Sequence, residues 1–504
     1  MRQPRALHLL PAALVVGIAL AAPAAAQGIG GWSQFQQGPG HIGSVSTAPA
    51  PPYRVAWQAR TGIGDASQAM GLPAPVVSGS LAIVVGRADV TAVDVATGRQ
   101  AWTIAKELGP SVPAAVVPAA PGGAHGLILY TEGGGDESSS ASGSPSPSQS
   151  SSASASPVAT ANACRTPATA SPGTPRLVAI DALTRKRLWD VDLPGVSRTG
   201  PTVDGDLALV GTDGGSVLAV DLASGSVRWT RDIGDCVDVP IAADGGVAFA
   251  AVRSTQRQPP QIVALRESDG SPAWSQPYTP RTAASAAGAP AVSGGVLYVA
   301  MLDATVRAVD AGTGVERWAT RVNSVVAGAP PVVAGDAIVV VDARGQVYRL
   351  DPGTGARVWD FASNTTVGGT PAVAGGTVLV PTGRGDVMAI DLSSGEEVGR
   401  VVLGEGAALD LAVTSDAVVV ARTGPSAGLV GLVHDPHGTL TQIQSPTVLK
   451  PALLFGAWAA AAIPLIALLL FAGRTMLRRM GPAVFDAPGE EETWEGDADP
   501  EGDT

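Results

Sequence analysis

Acidic side chains recur at one fixed place in this sequence. Asp94, Asp181, Asp221, Asp310, Asp351 and Asp391 each stand four residues before a turn position and eight before an outer position. The turn position is Gly98, Gly225, Gly314, Gly355 and Gly395, with Arg185 in one copy. The outer position is Trp102, Trp189, Trp229, Trp318 and Trp359. Arg266 heads a further copy with Gly270 and Trp274, and His434 heads a degenerate one with Gly438 and Gln442. In the Asp391 copy the tryptophan is replaced by Gly399. A carboxylate at constant spacing could transfer protons or hold a cation. It could equally accept hydrogen bonds from the backbone N–H groups of the turn that follows it. Repeat signatures ordinarily serve the repeat, so the aspartates and tryptophans are expected to be structural. The remaining chemistry-bearing residues are sparse. His434 and His437 flank an Asp-Pro pair with no third or fourth ligand beside them, which suits a solvated loop better than a metal site. Arg384-Gly385-Asp386 occupies the same hairpin-turn position as Asp213-Gly214-Gly215 and Arg344-Gly345, and Asn364-Thr365-Thr366 is a weak glycosylation signal. No nucleophile–histidine–acid order and no phosphate-binding loop rises above chance.

The elements that must position these residues follow from one unit, Thr199–Ile233, TGPTVDGDLALVGTDGGSVLAVDLASGSVRWTRDI. Short alternating apolar runs are broken at Asp204-Gly205, Asp213-Gly214-Gly215 and Ser224-Gly225, which are hairpin signals. Each unit is therefore four short antiparallel strands, one blade of a β-propeller. The aspartate ends the third strand, glycine supplies the positive φ of the turn, and tryptophan on the outermost strand fills the wedge between blades. The copies are spaced 40 to 45 residues apart, except for 87 between the first two. Eight copies give an all-β, eight-bladed propeller. Tyr53–Arg60 (YRVAWQAR) is an orphan fourth strand that would complete the last blade and close the ring. Seven blades with one unit outside the ring is the alternative.

AVDVATGRQAW and its counterparts resemble the PQQ (pyrroloquinoline quinone) repeat, and Trp32–Gly43 (WSQFQQGPGHIG) resembles that family's lead-in. The resemblance covers about residues 32–442. It implies a propeller with one of two kinds of work. One branch holds the quinoprotein dehydrogenases, for which the resemblance implies PQQ, a Ca²⁺ ion and a catalytic aspartate. The other holds non-catalytic scaffolds such as the propeller lipoprotein of the outer-membrane protein assembly machinery. The adjacent cysteine pair of many such dehydrogenases is missing, since the two cysteines are Cys164 and Cys236, and Cys-x-x-Cys-His is absent. No catalytic aspartate is placed by motif. The non-catalytic branch is therefore expected: no enzyme, no cofactor, no metal.

The flanks set the organisation. Arg2 and Arg5 precede an apolar run ending at Ala24-Ala25-Ala26, a secretory signal peptide over residues 1–26. No cysteine lies near the cleavage point, as a lipoprotein would require. Residues 451–473 (PALLFGAWAAAAIPLIALLLFAG) are uncharged and long enough to span a bilayer. Arg474, Arg478 and Arg479 follow and place that end in the cytoplasm. The propeller, residues 27–450, is then extracytoplasmic, and residues 474–504 form an acidic tail with nine carboxylates from Asp486 to Asp503. The net charge of −12 excludes the basic footprint of a nucleic-acid binder.

The long first spacing holds residues 133–175, a Ser/Ala/Pro-rich insertion expected to be disordered. It falls between the second and third strands of the second blade, LILYTEG and RLVAID. Cys164 lies in it, and Cys236 lies in the link between the third and fourth blades. Both loops leave the same face of a propeller, so a Cys164–Cys236 disulfide is expected outside the cell. The chain thus reads as a single-pass protein of the cell membrane whose propeller binds a protein or cell-envelope ligand. The alternatives are a PQQ/Ca²⁺ dehydrogenase and a sensor whose acidic tail recruits a cytoplasmic partner.

Overall fold

The computed structural model describes residues 32–438, apart from 61–72, 120–125, 135–172, 235, 254–259, 278–285, 325–328 and 425–426. The chain divides into units 1–447 and 448–504, and all described residues belong to the first. The signal peptide, the bulk of the insertion with Cys164, the predicted membrane span and the acidic tail lie outside the described residues. Among the described residues no helix is long and apolar enough to cross a membrane.

Eight sheets succeed one another along the chain, each built on four antiparallel strands, and in the seventh a short strand, Ser44–Val45, adds parallel to the innermost strand Ala372–Ala374. Blade 3 is typical: Thr202–Asp204 innermost, then Leu207–Gly211, Ser216–Asp221 and outermost Val227–Asp232. Blades 1 to 7 span Val76–Ala105, Ala115–Asp192, Thr202–Asp232, Ala242–Pro277, Ala291–Arg321, Val332–Ala362 and Ala372–Val402. Blade 8 has three strands of its own between Ala408 and His434, and its outermost strand is Tyr53–Ala59, paired antiparallel to Gly428–His434. The ring is thus eight-bladed and closed by the N-terminal strand, so the arrangement of seven blades with one outside does not occur.

Burial explains the strand composition. The middle strands are packed on both faces against neighbouring blades, so Leu207–Gly211 is buried throughout and its sequence is continuously apolar. The outermost strands face solvent on one side and alternate, as Val227–Asp232 does. Each outer strand also carries a register shift next to its tryptophan position. In blade 3 Ala219 pairs with Trp229 but Val220 pairs with Val227, leaving Arg228 as the extra residue. A bulge of this kind re-aims the neighbouring side chain, and here it accompanies the turn of the indole toward the next blade.

The loops sort onto two faces. The turns between second and third strands and the links between blades lie on one, called here the hairpin face. The turns after the repeat aspartates lie on the other. The root of the insertion and Cys236 are on the hairpin face.

Candidate binding surface

The repeat carboxylates are occupied by their own turns. Asp94 Oδ1 accepts hydrogen bonds from the backbone N–H and hydroxyl of Thr97 (2.9 and 2.6 Å). Asp310 and Asp351 treat Thr313 and Thr354 in the same way. Asp221 accepts from Ala223 N, Ser224 N and the Ser224 hydroxyl, and Arg228 also bonds it. Asp181 accepts from Leu183 N and Thr184 N, and Asp391 from Ser393 and Ser394. Hydrogen bonds to the charged form hold Asp310 down at about 2, with the Arg317 guanidinium the largest cause. Such carboxylates are poor proton carriers near neutral pH.

The tryptophans bind blade to blade. Trp189, Trp229, Trp274, Trp318 and Trp359 each donate Nε1–H to a backbone carbonyl of the following blade: Leu222, Glu267, Ala311, Pro352 and Leu392 (2.7–3.0 Å). The rings of Trp189, Trp229, Trp318 and Trp359 lie on the following blade's turn glycine. A Cβ on Gly225 would stand 2.6 Å from Trp189, and one on Gly395 would stand 2.7 Å from Trp359. Trp102 packs partly buried against the blade 1–2 core. Gly399, in the tryptophan position of blade 7, lies beside Pro51, so the N-terminal chain runs where an indole would otherwise sit.

The segment Trp32–Gly43 does something the sequence did not disclose. It passes the innermost strands of blades 1 to 7 in order. The middle residue of each strand donates its N–H to it: Val77 to Trp32 O, Val116 to Ser33 O, Val203 to Gln34 Oε1, Ala243 to Pro39 O, Val292 to Gly40 O, Val333 to Ile42 O and Val373 to Gly43 O (2.7–3.0 Å). Gln34 returns a bond from Nε2 to Val203 O. A belt therefore satisfies the inner edge of the ring, which would otherwise present open strands. Its tight path uses positive φ at Gln36, Gln37, His41 and Gly43. Burial holds the His41 imidazole down at about 4, although its Nδ1 lies 3.3 Å from Pro290 O.

On the hairpin face, charged groups grip the root of the insertion. Glu132, the last residue of the second strand of blade 2, is 1% exposed; it accepts from Arg187 (2.6 Å) and from Glu107 N. Arg176, the first residue of the third strand, pairs with Asp192 (2.9 Å), Asp190 and Glu107. Gly134 N–H donates to Gly173 O, closing the neck. Lys106 is buried beside Glu132 and Asp89; desolvation lowers its ammonium to about 8 against their attraction. Cys236 is fully buried and disulfide-bonded; its expected partner Cys164 lies outside the described residues.

Other sites expected to be idle are placed as follows. His434 and His437 are exposed on the opposite face, with His434 Nδ1 2.8 Å from Ala50 O. Among the described residues no three His, Cys, Asp or Glu side chains are grouped as a metal ion would need. Sequence reasoning missed one cluster. Glu267 is pushed up to about 8, first by burial and then by Asp204, Asp206 and Asp244 around it. Its position one residue after Arg266 in the repeat gave no hint of this company.

The family model described as outer membrane protein assembly factor BamB matches residues 173–285 and 260–423. The fold matches that of BamB from Moraxella catarrhalis at 17% identity and a TM-score of 0.53, covering 76% of this chain and all of that one. The chain belongs to the PQQ-like repeat β-propeller family. The fold also matches that of a europium-containing methanol dehydrogenase (15% identity, TM-score 0.57, 79% of this chain and 90% of that one). A quinohemoprotein alcohol dehydrogenase from Pseudomonas putida HK5 is also similar (13% identity, TM-score 0.59, 82% of each chain). At these identities the solved structures show the propeller fold alone. No curated protein matches this sequence.

Proposed function

We propose that this PQQ-like propeller is a non-enzymatic scaffold, anchored in the cell membrane by residues 451–473, whose hairpin face binds a protein or cell-envelope partner outside the cell. The observation that carries the proposal is the occupation of the repeat carboxylates by their own turns, which makes them architecture. The hairpin face carries the root of the insertion and Cys236, whereas the other face is taken up by the turns that the repeat aspartates cap. The BamB family match supports partner binding in general.

Two experiments test the proposal. A photocrosslinking amino acid is placed at Leu302, exposed on the hairpin face, or at Leu183, exposed on the other. Crosslinks to a discrete partner from Leu302 and not from Leu183 are expected; the reverse would overturn the assignment of the face. The full chain is also titrated with PQQ plus Ca²⁺ and assayed for dye-linked oxidation of alcohols and sugars. Micromolar binding with dye reduction would replace the scaffold by a dehydrogenase. A folded protein without binding or turnover is the expected result.

A further inference from the structure

The hairpin turns of blades 3, 5, 6 and 7 are superimposable in their bonding. In each, the first residue's carbonyl accepts from the N–H three residues later: Thr212 from Gly215, Met301 from Ala304, Asp342 from Gly345 and Thr382 from Gly385 (3.0–3.1 Å). The third position of these turns is Gly214, Asp303, Arg344 and Arg384. The two arginines therefore occur in adjacent blades, on turns that stand side by side on the hairpin face.

Between them passes the blade 6–7 link. It is locked in place, because a Cβ on Gly345 would collide with the Thr365 carbonyl and Gly383 N–H donates to Thr366 O (2.9 Å). Asn364 takes a positive φ of 57° to make this passage. The outcome is a shallow cleft, largely open to solvent, of about 340 Å³ lined by Arg344, Asn364, Thr365, Thr366, Gly383 and Arg384. Both arginines are exposed, and neither guanidinium has an ion-pair partner among the described residues. The acids that flank the two turns along the chain are already engaged. Asp342 is buried and accepts from the Tyr348 hydroxyl and the backbone of Arg344 and Gln346, and Asp386 is paired with Arg400 (2.8 Å). Thr365 is 6% exposed, and its hydroxyl has no hydrogen-bond partner among the described residues.

We propose that the cleft between blades 6 and 7 binds a phosphate group. Two guanidinium forks supply charge and paired donors suited to tetrahedral oxyanions, and the Asn364 and Thr366 side chains add neutral donors within the same small space. The phosphate is either free or carried as an ester on a cell-envelope molecule. The assignment stands independently of the scaffold reading.

The test uses calorimetric titration of the full chain with inorganic phosphate, glycerophosphoglycerol and acetate. Saturable phosphate binding that weakens with added salt is expected. Each of R344Q and R384Q is expected to weaken it roughly tenfold. R99Q, on the opposite face, controls for general charge and is expected to leave binding unchanged. Stronger binding of glycerophosphoglycerol would identify the esterified source, and equal or weaker binding the free one; either supports the site. Absence of phosphate binding, acetate binding as tight as phosphate, or equal losses in R99Q and R384Q would each overturn it. Both lining arginines are exposed, so an unchanged melting temperature in the variants separates lost binding from lost folding.

Discussion

The indole of Trp57 rests on Gly98: a Cβ there would stand 2.7 Å from the ring, and Trp57 Nε1–H donates to Val95 O at 2.6 Å. These residues belong to blades 8 and 1, so the contact joins the two ends of the ring. It repeats, across the closure, the tryptophan-on-glycine packing used between consecutive blades. Trp57→Ala should cost roughly 3–5 kcal/mol by opening a cavity at the seam. Gly98→Ala should cost about 1–3 kcal/mol, since the added methyl meets the ring on a backbone with φ of +70°. Urea unfolding measures both. Equal stability of wild type and Trp57→Ala would show that the seam contributes nothing.

Gln34 is the one belt residue that pairs an inner strand through its side chain. Gln34→Ala leaves the Val203 N–H and carbonyl unpaired at the inner edge and should destabilise by about 1–3 kcal/mol. Amide exchange at Val203 should accelerate more than at Val292, whose partner is the Gly40 carbonyl. Uniform acceleration across the blades would mean the belt acts only as a whole.

Glu267 predicts one pH dependence. Its folded value of about 8 lies above the ordinary 4.5, so the folded protein holds a proton there that the unfolded chain releases. Stability from this group should fall as pH rises from about 4.5 to about 8. Glu267→Gln should remove that slope and raise the melting temperature at pH 8 relative to wild type. A slope unchanged in the variant would assign it to other groups.

His41 predicts the opposite sign at lower pH. Its folded value of about 4 lies below the ordinary 6.5, so the unfolded chain takes up a proton that the buried ring refuses. Stability should be lost as pH falls from about 6.5 to about 4. His41→Asn tolerates the left-handed backbone at φ of 52° and should flatten this window in a series of melting curves, though it loses the ring contact with Phe35 at 5.3 Å.

The blade count, the strand order within a blade, the closing strand Tyr53–Arg60 and the place of the insertion were all legible in the sequence. Each rests on local signals, turn glycines and alternating apolar residues, repeated often enough to outvote their exceptions. The belt was not legible, because Trp32–Gly43 carries no strand pattern of its own and takes its path from seven partners as far away as Val373. The acidic company of Glu267 and the shared cleft of Arg344 and Arg384 were hidden for the same reason. Within the sequence these are ordinary turn and link residues of separate units. Only the closing of the ring sets one unit's turn against its neighbour's, so their burial and charge environment are properties of the tertiary structure.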